Sequence, residues 1–133
     1  METATFNYIA QIISEYPITD MYIERLEKEK NTTVVKHKEL VYLRENQRAI
    51  ERVLKKCITS VGKGVFDNIT YDIIYELYLR EIVILNLDGV ANKVHLSVSQ
   101  VKKRRLCFFE EVARQRGIMI LSGSYIYDNL PKK

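Results

Sequence analysis

From Thr3 to Tyr16 the apolar residues Phe6, Ile9, Ala10 and Ile13 recur at spacings of three and four, so the chain opens on a short helix with one apolar side. Pro17 is expected to end it, because the residue before a proline is pushed out of the helical region. Thr19 or Asp20 can cap a second helix running to Lys30, with Met21, Tyr22, Ile23 and Leu26 as its apolar residues. Its polar residues alternate in sign (Glu24, Arg25, Glu27, Lys28, Glu29, Lys30), the mark of a solvated face. Asn31, Thr32 and Thr33 form a break. Lys36 to Ser60 is the longest predicted helix, and along it Leu40, Leu43, Gln47, Ile50, Leu54, Cys57 and Val61 trace a seam with one polar member, Gln47. Two readings fit that seam: the core-facing side of a small bundle, or the contact line of a homodimer. Gly62-Lys63-Gly64 breaks the helix as a hinge; a phosphate loop would need an upstream glycine and a following Ser or Thr, both absent. Thr70 is placed to cap a further helix, Tyr71 to about Glu81, whose Ile73, Ile74, Leu77 and Tyr78 face the segment that follows. Ile82 to Leu85 is apolar throughout and fits either a continuation of that helix or a buried connection.

The stretch Leu87 to Arg105, LDGVANKVHLSVSQVKKRR, organises the remainder. It predicts two short helices with a tight turn between them, the second running on to about Arg116. Val90, Ala91 and Val94 give the first an apolar side, and small Ala91 allows a crossing helix to approach closely. His95-Leu96-Ser97 is the turn, Leu96 its inward plug and Ser97 the N-cap of the second helix. Val101, Phe108 and Val112 then face inward. At about 100° per residue from Val101, Ser99 and Lys103 point almost straight out, with Gln100 at the edge of that face. Lys102, Arg104 and Arg105 flank it. This is the arrangement of a helix-turn-helix whose second helix enters the major groove. Arg105 falls about 40° from the core direction, so it must snorkel or meet a carboxylate. Leu106 points outward, which requires either a rotated helix or a partner.

Charge sharpens this reading. Between Gly89 and Phe109 there is no Asp or Glu, yet the window holds Lys93, Lys102, Lys103, Arg104 and Arg105. A DNA-facing element needs such one-signed charge, because neutralised phosphates release counterions. Over the whole chain 21 Lys and Arg stand against 17 Asp and Glu, so the placement of charge says more than its +4 total. The length of 133 residues suits one compact domain, or a small domain with a helical arm. It divides into an N-terminal helical region (1–61), a DNA-binding region (65–117) and a tail (118–133) that either straps across the body or lies loose. No apolar run is long enough to span a membrane and no leader pattern opens the chain, so neither membrane insertion nor secretion is expected. Cys57 and Cys107 both lie in apolar helical patterns and read as core residues of a reducing cytoplasm.

Little points to catalysis. His37 and His95 are the only histidines, and neither has a metal-ligand partner at a recognised spacing. His95, in the turn, is suited to meeting a phosphate or capping a backbone group. The acidic residues Glu24, Glu27, Glu29, Glu110 and Glu111 fit helix-surface positions. Cys107 has positive neighbours but sits in an apolar pattern. No cofactor or metal is expected, and an enzyme is the least favoured class.

The segment VHLSVSQVKKRRLCFFEEVA, with AIERVL in the long helix before it, resembles two related groups. One is the minus-thirty-five-reading domain of sigma factors, whose turn and recognition helix take a hydrophobic-Ser-x-Ser/Thr-x-Val-Lys-x-Arg form; here these are Leu96, Ser97, Ser99, Val101, Lys102 and Arg104. The closer is the RinA/ArpU-type family of bacteriophage late-gene transcriptional activators, which Tyr16-Pro17, Tyr22-Ile23-Glu24-Arg25-Leu26 and Ala49-Ile50-Glu51-Arg52 also fit. The chain departs from the pattern at Arg104 and Arg105, at Ile82–Leu85 and beyond Gly117. The resemblance implies activation of a phage late promoter, contact with host RNA polymerase, and a place in the bacterial cytoplasm at the nucleoid. The expectation is therefore an all-α double-stranded DNA-binding regulator. In it Ser99, Gln100 and Lys103 read bases, while Ser97, Lys102, Arg104 and Arg105 hold phosphates. The rival is a protein-interaction module whose same face binds an acidic partner without reading DNA.

Overall fold

The computed structural model describes residues 1–29, 33–59 and 64–118. It is all-helical, with no strand among those residues. The helices are α1 (Thr3–Glu15), α2 (Thr19–Lys28), α3 (Val34–Ile58), α4 (Asn68–Ile74), α5 (Leu87–Val94) and α6 (Val98–Gln115), with a 3-10 turn at Tyr16–Ile18 and a π turn at Tyr75–Leu79. The predicted end of the second helix at Lys30, most of the break after it, the end of the long helix at Ser60 and Val61, Gly62-Lys63 and the tail beyond Ile118 lie outside the described residues.

Pro17 follows the end of α1, as expected, but the break between the two helices is slight. Tyr16 stays helical (φ −52°, ψ −45°) and the 3-10 turn carries α1 almost directly into α2. The proline sits in the first turn, where its missing N–H is no loss. Thr19 is inside α2 rather than capping it, and its hydroxyl donates to the Glu15 carbonyl at 2.9 Å. Gln47, the polar member of the α3 seam, donates to Asp20 at 2.5 Å, which ties α2 to α3.

The seam itself belongs to the interior of one chain. Ile50, Val53, Leu54 and Cys57 of α3 meet Ile9, Ile12 and Ile13 of α1, Ile74 of α4, and Phe108, Phe109, Val112 and Ala113 of α6 in the main core. Each fully buried aliphatic or aromatic side chain contributes roughly 1.5–3 kcal/mol, so these positions are not available to a second copy. The homodimer reading of this seam is corrected accordingly. The same cluster also draws on both the 1–61 and the 65–117 regions, which therefore share one core.

A second, smaller cluster joins Ile73, Val90, Ala91 and Val101, with Leu77, Leu85 and Leu96 packed against it. The predicted helix after Thr70 thus serves two cores: Ile73 and Leu77 face α5 and the start of α6, whereas Ile74 and Tyr78 join the main core with α1, α3 and the later turns of α6. Its N-cap is Asp67, whose carboxylate accepts from Thr70 N at 3.0 Å; Thr70 is fully buried and donates to the Val65 carbonyl. The π turn ends the helix at Arg80, short of the expected Glu81. Ile82, Val83 and Ile84 are neither helical nor buried, at 73%, 50% and 68% exposure, and only Leu85 turns inward.

Candidate nucleic-acid interface

α5 and α6 are joined by the three residues 95–97, and each end of the joint is built from local chemistry. Asn86 caps α5 by accepting from Gly89 N at 2.9 Å. His95 closes it in the left-handed region (φ 59°, ψ 40°). Leu96 N donates to the Ala91 carbonyl at 3.0 Å and His95 N to that of Asn92 at 3.4 Å. That pair of bonds is a Schellman closure, and it drives Leu96 into the small core beside Val90 and Ala91. Ser97 then opens α6 with a reciprocal capping box: its Oγ accepts from Gln100 N at 3.1 Å, and Gln100 Oε1 accepts from Ser97 N at 2.9 Å. Val101 is fully buried, as its inward assignment required.

The basic residues of this segment separate into two sets. Arg104 does not face solvent. Its Nη1 donates to both carboxylate oxygens of Asp67, at 2.8 and 2.9 Å, and to Thr70 Oγ1 at 3.1 Å. Burial alone would raise the Asp67 pKa, but the Arg104 hydrogen bond and the Thr70 N–H outweigh it and hold the carboxyl below its ordinary value. Arg105 lies over the Phe6 ring at 5.0 Å, reaches the Tyr78 hydroxyl at 3.4 Å, and keeps its Nε buried with no hydrogen-bond partner among the described residues. The assignment of phosphate contacts to Arg104 and Arg105 is therefore corrected: both guanidiniums dock α6 onto the rest of the chain. Lys93 is likewise engaged, at 2.5 Å from buried Glu76, which also pairs with Arg80 at 3.1 Å. Hydrogen bonding from Lys93, together with the Arg80 charge, keeps Glu76 below its ordinary pKa.

What remains on the outer side is Ser99, Lys102 and Lys103, all exposed, with exposed His95, Ser97 and Gln100 at the leading edge. Among the described residues no carboxylate is bonded to Lys102 or Lys103. The carbonyl end of Gln100 is turned back into the capping box, so only its amide nitrogen is left to face a ligand. The Ser97 hydroxyl is similarly engaged by its own helix. Leu106 is half-buried rather than outward. The Cys107 thiol is pushed up by burial, with the nearby Glu110 charge adding to it, so it is not a thiolate at neutral pH.

The two residues that sequence reasoning missed are Asp67 and Glu76, which hold Arg104 and Lys93. Asp67 could have been found as an N-cap from its place three residues before Thr70. Glu76 carried one local signal, its place four residues before Arg80, but its other partner, Lys93, is on another helix. Among the described residues no group of three or more His, Cys, Asp or Glu is placed to hold a metal, and no helix is long and apolar enough to cross a membrane. Comparison with protein families, with curated proteins and with solved structures returns no match.

Proposed function

We propose that the chain is a sequence-specific double-stranded DNA-binding transcriptional regulator without enzymatic activity, in which α5 and α6 form a helix-turn-helix and the first two turns of α6 enter the major groove. The observation that carries the reading is the division of charge on α6. Arg104 and Arg105 anchor the helix from behind, while exposed Ser99, Lys102 and Lys103 present a face whose lysines pair with no carboxylate among the described residues. Lys103 and Ser99 are the base-reading residues, with the Gln100 amide beside them; Lys102 and His95 meet phosphates. The resemblance to RinA/ArpU-type activators and sigma domains extends the proposal to activation of phage late genes, contact with host RNA polymerase, and action in the bacterial cytoplasm at the nucleoid. A homodimer would use a face other than the α3 seam.

A second reading has one observation in its favour. With Lys93, Arg104 and Arg105 engaged internally, the face retains two lysines without a carboxylate partner among the described residues, a small electrostatic footprint for DNA. On that reading the face binds an acidic protein and reads no sequence. Selection from a random duplex pool separates the two. The DNA reading expects one enriched sequence whose affinity falls steeply with salt; recovery of no preferred sequence, with weak binding even at low salt, contradicts it.

A further inference from the structure

We propose that the outer face of α3, where it meets the C-terminal end of α6, is a docking site for an acidic protein segment held by Arg48 and Arg52. The two arginines stand four residues apart on α3, and both are exposed. Neither is bonded to a carboxylate among the described residues, although like charges at this spacing repel one another and weaken a helix. With Arg114 and Arg116 they border a polar cleft of about 410 Å³.

The carboxylates around this cleft are already engaged. Glu45 is taken by Arg116 at 2.9 Å, while buried Glu111 receives Lys56 at 2.6 Å and Arg114 at 3.2 Å. Arg116 is further fixed by Asn46 Oδ1 at 2.5 Å and lies over the Tyr42 ring at 5.6 Å. The C-terminal wall is thus built, and the Arg48 and Arg52 guanidiniums are the charge facing it that no carboxylate among the described residues pairs. A planar guanidinium with paired donors matches a carboxylate, and two on successive turns match an extended or helical acidic segment.

DNA phosphate is the other anion such a cleft could hold, and geometry disfavours it. Arg114 lies eleven residues beyond Lys103 on α6, about 16 Å further along the axis, whereas the major groove is only about 12 Å wide. A straight duplex around the first turns of α6 leaves the cleft clear. The choice of protein over phosphate rests on the DNA reading of α6; the charge argument for the cleft does not.

The test uses the full chain, a fluorescent twelve-residue polyglutamate peptide as probe, and the selected duplex in parallel. In the parent, the peptide should shift the Arg48 and Arg52 Nε–Hε resonances. R48Q/R52Q should weaken peptide binding by about tenfold or more while leaving duplex affinity within about twofold, and K102A/K103A should do the reverse. Both pairs are on the surface, so circular dichroism should report parent-like folding for each. The proposal is overturned if the parent does not bind the peptide, or if R48Q/R52Q binds it as the parent does. It is also overturned if R48Q/R52Q loses duplex affinity as steeply as peptide affinity, which would make the cleft a phosphate site. Loss of peptide binding in R48Q/R52Q, with K102A/K103A still binding duplex normally, would support the cleft while refuting the groove assignment of α6.

Discussion

Arg104→Met separates a docking arginine from a phosphate-binding one. The substitution keeps an apolar stem and removes the guanidinium that bonds both Asp67 oxygens and Thr70. A hydrogen bond to a charged group contributes about 1.5–3 kcal/mol. Here the Arg104 side chain is 20% exposed and that of Asp67 31%, so water can reach the abandoned carboxylate and the loss should fall near the lower part of that range, about 2 kcal/mol. For a domain of this size that corresponds to a Tm lower by roughly 7 °C. Asp67→Asn should cost a similar amount, and the double variant should be much less than additive, because both remove one interaction. The assay is thermal or urea unfolding followed by circular dichroism, paired with duplex titrations at several salt concentrations. On this account Arg104→Met leaves the log–log salt slope unchanged. A variant as stable as the parent, with a slope shallower by about 0.9, would mean that Arg104 neutralises a phosphate and that the docking argument is wrong.

Ile50→Lys should abolish cooperative folding, with a loss on the order of 4 kcal/mol or more, because Ile50 is 1% exposed in the main core; a folded monomer by sedimentation and circular dichroism would restore the dimer seam. His95→Gly should raise stability by roughly 0.5–1 kcal/mol in urea, since glycine adopts the left-handed closure of α5 without steric cost; a destabilised variant would mean the imidazole makes an unseen contact. Asp67, Glu76 and Glu111 all have folded pKa values below their ordinary 3.8, 4.5 and 4.5, so their stabilisation is complete above the unfolded values and is lost as pH falls through the lower folded ones. Urea midpoints should be level from neutrality to about pH 5 and drop below about pH 4, and a flat profile down to pH 3 would contradict the ion pairs of these three carboxylates.

The helices were legible because their apolar spacing and caps are local. Ser97 with Gln100, and Gly117 after α6, each act within a few residues of their own position. The partner of a seam is not local information: Leu40 to Cys57 has the same spacing whether it meets α1 and α6 of its own chain or another copy. Arg105 was flagged by its angle to the core, but the surface it found was an aromatic ring on α1 and a tyrosine, not a carboxylate. Arg104 differs again, since its partner Asp67 is remote in sequence and serves at the same time as the cap of α4. The face thus lost three of its expected cations to tertiary contacts. Ile82 to Ile84 failed for a related reason: apolar composition predicts burial only where an element lies against it, and among the described residues none covers these three.

The groove assignment of α6 is tested most directly by a salt titration of Lys103→Ala and Lys102→Ala on the selected duplex and a scrambled one. Lys103 is exposed, and on the proposed reading it donates to guanine O6 and N7, a contact that discriminates by roughly 1–3 kcal/mol. Lys102 lies about 100° from Val101, and on the same reading it meets a phosphate. Lys103→Ala should therefore weaken the selected site far more than the scrambled one. Lys102→Ala should weaken both about equally and make the slope shallower by about 0.9. If both variants bind both duplexes as tightly as the parent, α6 does not enter the groove and the DNA-binding account fails.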